Sequence, residues 1–123
     1  DHISALARLE GTQLILKRLE ALKMPGEAVI ITGDFNCDPG TPPYQAFQQA
    51  GYQDCFLLAG DQHAPAHTYH GFRGQQYRLK QGRSERIDWV LAQHVKVNTY
   101  ELVQDQAGPR YLSDHYPVLV NGE

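Results

Sequence analysis

The chain has 123 residues, a formal charge of -3, 41% hydrophobic and 20% charged residues. That length suits one compact domain spanning residues 1–123, and the composition allows a globular core and does not indicate disorder. The acidic balance argues against a non-specific nucleic-acid binder, so nucleic acid stays an open but unindicated partner. No apolar run is long enough to make a membrane span.

Residues from about Ile3 to Leu22 predict a helix. They lack proline, are rich in Leu, Ala, Glu, Lys and Arg, and place Ile15, Leu19 and Leu22 at helical spacing. Pro25-Gly26 ends it. Ala28 to Ile31 is a short, largely β-branched run suited to a central strand buried on both faces. Thr32-Gly33 then releases the chain, and Asp34 and Asn36 emerge where that strand stops. Asp38-Pro39-Gly40 is a turn signal. Thr41 and Pro42 open a second helix that runs through Tyr44 and Phe47, with Gly51 as its stop.

From about Gly60 to Arg86 the chain is polar and reads as a long loop with one short strand near Thr68-Tyr69. Arg73, Arg78, Lys80, Arg83 and Arg86 concentrate positive charge there, which suits either a solvated loop or an anionic substrate. Ile87 to Leu91 and Val95 to Val103 read as strands, and Gly108-Pro109 as a turn. A last strand covers Tyr116 to Val120. Helices fill the first half and strands the second, which makes the class α+β. Cys37 and Cys55 are too few for a disulfide scaffold and match no zinc spacing, while a single bridge between them stays open.

Cleaving a phosphoester needs an activated water, neutralised phosphoryl charge and help for the leaving group. Hard cations such as Mg²⁺ take carboxylate, amide and water oxygens. Asp34 and Asn36, alternating with Phe35, share one face if the chain is still extended, while Phe35 packs on the other. Asp114 and His115 are adjacent, so they reach one point only if the chain bends between them.

These residues carry a family resemblance. Ile31-Thr32-Gly33-Asp34-Phe35-Asn36, Arg86-Ile87-Asp88-Trp89-Val90 and Ser113-Asp114-His115-Tyr116-Pro117-Val118, in that order, resemble the endonuclease/exonuclease/phosphatase superfamily. Thr68-Tyr69-His70-Gly71-Phe72 is similar to a segment of its bacterial metal-dependent hydrolases. The resemblance implies half of a two-layered α/β sandwich of the deoxyribonuclease I-like type, with a mainly antiparallel sheet and helices on one face. It implies hydrolysis of a phosphoester by a metal-activated water, with Mg²⁺ or Mn²⁺ as cofactor, in a phosphodiesterase, nuclease or phosphatase. Asp34 then positions or deprotonates the water, and Asn36 contacts the phosphoryl group or a second metal. Asp88 pairs with His115 and favours its imidazolium, Asp114 joins Asp34 and Asn36 as a metal ligand, and His70 and Arg86 meet substrate.

Family members are about twice as long, and their first half supplies an Asn, a Glu and a His-containing motif that this sequence lacks. Asp1-His2 resembles the residues just after that His motif, so the chain is expected to match the C-terminal half and to self-associate or pair with a missing N-terminal half. Two rival readings stand beside this one. His63, His67 and His70 could gather as a zinc site, and the chain could be a non-catalytic, self-associating module that keeps the motifs without turnover.

Overall fold

The computed structural model describes residues 4–123; Asp1, His2 and Ile3, which include the first residue of the expected helix, lie outside the described residues. Helix α1 spans Ala5–Leu22, and the Ser4 hydroxyl caps it by accepting from the Ala7 amide at 3.0 Å. Its core-facing stripe is Thr12, Leu16 and Leu19, not the expected Ile15, Leu19 and Leu22: Leu22 is 78% exposed. A four-residue spacing is satisfied by either stripe, and packing against the sheet selects the one containing a threonine.

Strand β1 (Val29–Asp34) is followed by α2 (Pro42–Gln49), and α2 buries Pro43, Tyr44 and Phe47. Gly51 ends this stretch at φ 92, a backbone conformation that suits the residue without a Cβ. The pair β2 (Gln53–Asp54) and α3 (Cys55–Ala59) was not foreseen. Its cap is plain in retrospect, since the Asp54 carboxylate accepts from the Phe56 amide at 3.0 Å. Residues 60–86 form the expected irregular segment, with one 3₁₀ turn at Gly74–Gln76 and a single bridge from Tyr69 to His115. Strands β3 (Asp88–Gln93), β4 (Val97–Leu102) and β5 (Val118–Gly122) complete the chain.

The strands form two antiparallel groups, ordered β1-β3-β2 and β4-β5. On one face of the first group, Val29, Ile31, Phe35, Trp89 and Leu91 meet Leu16 and Leu19 of α1 and Phe47 of α2. Phe35 stacks on Trp89 with ring centroids 4.5 Å apart, and Phe47 meets Phe35 edge-on at 5.6 Å. The architecture is α+β, with helices on one face of a mainly antiparallel sheet.

β1 corrects one expectation. It is an edge strand covered on one face only, and Ile30 on the other face is 61% exposed. A run of apolar residues cannot tell a doubly buried strand from one whose second face is left open. That second face lines a groove of about 530 Å³, walled by Ile30, Thr32, Val90, Ala92, Val118 and Val120. Cys37 and Cys55 are both free and buried, so no disulfide joins them.

Beneath the sheet end lies a buried ion pair. Arg86 is 4% exposed, and its two terminal nitrogens donate to the Asp54 carboxylate at 3.2 and 2.7 Å. The Tyr44 hydroxyl donates to the same carboxylate at 2.7 Å, and the guanidinium lies 4.3 Å from the Phe56 ring centroid. Removing one member of such a pair leaves a charge with neither water nor partner. Asp54→Ala is therefore expected to destabilise the chain by about 3–5 kcal/mol in urea unfolding. The double change Asp54→Leu with Arg86→Met should cost clearly less, and equal losses in the two proteins would contradict this account.

Candidate active site

The site begins with a register. β1 and β3 run antiparallel with Asp34 opposite Asp88 and Gly33 opposite Trp89, so the last residue of one strand faces the first of the other. The Phe35 amide extends the ladder by donating to the Ile87 carbonyl at 2.8 Å. Asp34 is exposed and Asp88 half-buried, and both carboxylates border an open depression of about 450 Å³ together with Gly33, Ser113 and His115.

His115 enters from the segment before β5. The Ser113 hydroxyl accepts from the His115 amide at 3.1 Å, a local turn that supplies the bend needed to bring Asp114 and His115 together. His115 Nδ1 lies 2.7 Å from Asp88 Oδ2, and Nε2 lies 3.9 Å from both Asp34 Oδ2 and Asp114 Oδ1. One ligand atom each from Asp34, Asp88 and His115 falls within 4.8 Å of the others, the one such cluster among the described residues. Asp88 is already engaged by the imidazole. The carboxylates of Asp34 and Asp114 could offer further oxygens to a hard divalent cation, and Asn36, two residues past Asp34, is exposed.

Asn36 does not arrive by strand alternation. β1 stops at Asp34, Asn36 adopts φ 54, and its amide donates to Asp34 Oδ1 at 2.9 Å. Asparagine tolerates this left-handed conformation better than other side-chain-bearing residues, and the turn rigidifies the Asp34 carboxylate.

Two expected substrate contacts lie elsewhere. Arg86 is committed to Asp54 in the interior, so it is a structural residue beneath the site and not an exposed contact. His70 is 0% exposed; its ring sits 4.1 Å from the Tyr116 ring and 4.7 Å from that of Tyr111, and Nδ1 accepts from the Gly74 amide at 3.3 Å. Gly74 is needed there, because at φ 54 any Cβ would collide with the Tyr111 ring. Burial lowers the His70 imidazole pKa despite the nearby Asp114 charge, which favours the neutral ring. The His70 main chain also meets the site, through a 2.8 Å bond from its amide to the Asp114 carbonyl. His63 is exposed, and the three histidines do not converge as a metal cluster among the described residues.

Sequence reading missed the residues that hold the loops. Asp38 accepts from Arg83 at 2.6 and 3.1 Å, from the Ser84 amide at 3.1 Å and from the Glu85 amide at 3.0 Å. Burial would raise the Asp38 carboxyl pKa, but Arg83 and these amides override it and hold it below the usual range. Only the turn signal at Asp38 was visible in the sequence; its partners lie some 45 residues away.

Residues 3–115 match the sequence model of the Endonuclease/Exonuclease/phosphatase family. The chain belongs to this family. Among solved structures it is similar to a conserved protein of unknown function from Enterococcus faecalis V583, with 31% identity and a TM-score of 0.84 over 100% of this chain and 46% of that one. It is also similar to a mannosyl-6-phosphatase of Bacteroides thetaiotaomicron VPI-5482, with 28% identity and a TM-score of 0.81 over 100% of this chain and 48% of that one. A third likeness is to an endonuclease/exonuclease/phosphatase family protein from Bacteroides thetaiotaomicron, with 28% identity and a TM-score of 0.78 over 98% of this chain and 44% of that one. The chain spans about half the length of these family structures, so its fold is half of their two-layered sandwich. No curated protein matches it.

Burial alone would lower the His115 pKa, but the Asp88 hydrogen bond and the charges of Asp88, Asp34 and Asp114 override it and raise it above its ordinary value. A group with a raised folded pKa adds stability that is full below its unfolded pKa, about 6.5, and is lost as pH rises through the folded value. In metal-free buffer, an NMR titration of the Asp88→Asn protein should show the His115 midpoint displaced downward. The stability gap between wild type and variant should close above neutral pH, and an unmoved midpoint would sink this assignment.

Proposed function

We propose that this chain carries the phosphoryl-handling part of a divalent-cation-dependent phosphoester hydrolase. The observation that supports it is the convergence of Asp34, Asp88 and His115, with His115 Nε2 set 3.9 Å from the carboxylates of Asp34 and Asp114. Asp88 holds Nδ1 and favours the imidazolium, so Nε2–H is the proton presented to a phosphoryl oxygen in the depression. Asp34, steadied by the Asn36 amide, is placed to orient a water and accept its proton. Asp114 and Asp34, with the Asn36 side chain as a further oxygen, would hold Mg²⁺ or Mn²⁺. When bound, the cation supplies charge neutralisation for the phosphoryl oxygens.

The likeness to a mannosyl-6-phosphatase makes phosphorylated sugars the first substrates to assay, ahead of nucleic acid. In the whole protein, Asp34→Asn or His115→Ala should reduce turnover of a nitrophenyl phosphoester by at least about a hundredfold, the scale of one lost electrostatic or acid–base contribution. Asp88→Asn should reduce it less than His115→Ala. Chelation should abolish turnover and Mg²⁺ or Mn²⁺ restore it. A wild-type rate in either of the first two variants would refute the assignment.

The open groove supports a second reading of this segment as a self-associating module. Ile30 and its neighbours form an apolar face with no cover among the described residues. Such a face favours association with its own kind or with a second sheet. Light scattering of the isolated chain should give a mass above that of a monomer, and Ile30→Lys should return it to a monomer. A monodisperse wild-type monomer would count against this reading.

A further inference from the structure

Thr68 lies at the point where the two halves of the His115–Asp88 contact meet. It is 0% exposed, and it belongs to no strand. Its Oγ1 accepts two amides, from Ile87 at 3.0 Å and from Asp88 at 3.1 Å. Its carbonyl accepts from the Tyr116 amide at 2.7 Å, and its own amide donates to the Glu85 carbonyl at 3.0 Å. β3 and β5 belong to different strand groups, and no backbone hydrogen bond among the described residues joins Ile87–Asp88 directly to His115–Tyr116. Thr68 joins them instead: hydroxyl on one side, carbonyl on the other.

The chemistry of the residue fits this task. A hydroxyl oxygen has two lone pairs and can take both amides while its proton points to the Glu85 carbonyl, 3.5 Å away. Two part-buried amides would otherwise lose this acceptor, and β3 would be freer to shift against the His115 segment. The neighbouring bridge pairs Tyr69 with His115 itself.

The geometry points to Thr68 as a positioning residue for the Asp88–His115 pair: its hydroxyl and carbonyl together set the separation at which Asp88 Oδ2 meets His115 Nδ1. This deepens the hydrolase reading and rests on it for the catalytic consequence, while the positioning itself can be read without any turnover.

The test uses NMR on the chain as it stands. In wild type, the His115 Nδ1 proton, held by a 2.7 Å contact with a carboxylate, should give a protected, strongly downfield signal. Thr68→Val keeps the shape and deletes the acceptor; it should lose or markedly shift that signal while the dispersed amide spectrum stays folded. Thr68→Ser restores the hydroxyl and should restore the signal. A folded Thr68→Val protein with the wild-type signal would overturn the proposal, as would a folded Thr68→Ser protein without it. If Thr68→Val does not fold, Thr68→Cys, a weak acceptor of similar size, takes its place under the same criterion. In the whole protein, kcat on a nitrophenyl phosphoester should fall about a hundredfold in Thr68→Val with KM little changed, the scale expected for a small misplacement of a catalytic group. An unchanged kcat beside a lost NMR signal would leave the positioning standing and refute the catalytic part assigned to the pair.

Discussion

Asp34 and Asp88 face each other across neighbouring strands, and the rest of the site follows from that juxtaposition. Like charges directly opposite in a sheet repel, so this register persists only because something else fixes it. Phe35 and Trp89 do so. Each is the residue next to one of the aspartates, and their rings stack within the core alongside Phe47 and Tyr44. Because side chains alternate along a strand, a slip of one residue would bury the carboxylates and push the aromatics into water. The hydrophobic core therefore enforces an electrostatic arrangement that is unfavourable by itself. The His115 imidazole sits between Asp88, Asp34 and Asp114, where its protonated form would offset that repulsion.

The segment 60–86 shows how an irregular chain can still be exact in its placement. Asp38, just past the end of β1, gathers Arg83 and the amides of Ser84 and Glu85. The Glu85 carbonyl takes the amides of Thr68 and Tyr69, Thr68 takes those of Ile87, Asp88 and Tyr116, and the Asp114 carbonyl takes those of His70 and Gly71. The segments around Thr68, Ile87 and Asp114 are thus stitched through side-chain and backbone oxygens, while the β1–β3 ladder joins the segment of Asp34 to that of Asp88. Glu85 reaches this position at φ 51, outside the usual range for a residue with a side chain, and its buried carboxylate is met by the Tyr77 hydroxyl. That local cost is borne by the network around it.

Much of this was legible in the residues. The helix ending at Pro25-Gly26, the helix opened by Thr41-Pro42, and the strands around Asp88 and Val97 were all marked by periodicity and turn chemistry, which act locally. Asp34, Asp88 and His115 were legible because three short motifs stood in order. What the sequence concealed depended on partners distant along the chain. Arg86 looked like one of several loop cations, and only the fold reveals that Asp54 neutralises it in the interior. His70 looked like a ligand or substrate contact, yet Tyr111 and Tyr116 enclose its ring. Thr68 carried no signal beyond its segment, because a hydroxyl does not announce which amides it will accept.

The face of β1 that was expected to be buried ties fold to function. Ile30 and Thr32 lie on the side away from α1 and α2, and the groove there is walled partly by Thr32, Val90 and Val118. The same three residues border the depression that holds Asp34, Asp88 and His115. Groove and depression are therefore neighbours on one continuous surface, apolar at one end and charged at the other. Any sheet that covers the apolar end to remove it from water must run past the carboxylates, where its own polar residues would face them. The solved structures that this chain resembles extend about as far again beyond it; on the proposed reading, a layer that closed the apolar groove would also border the carboxylates. On that reading, the apolar end would drive the association, and the charged end would constrain which side chains the covering layer brings.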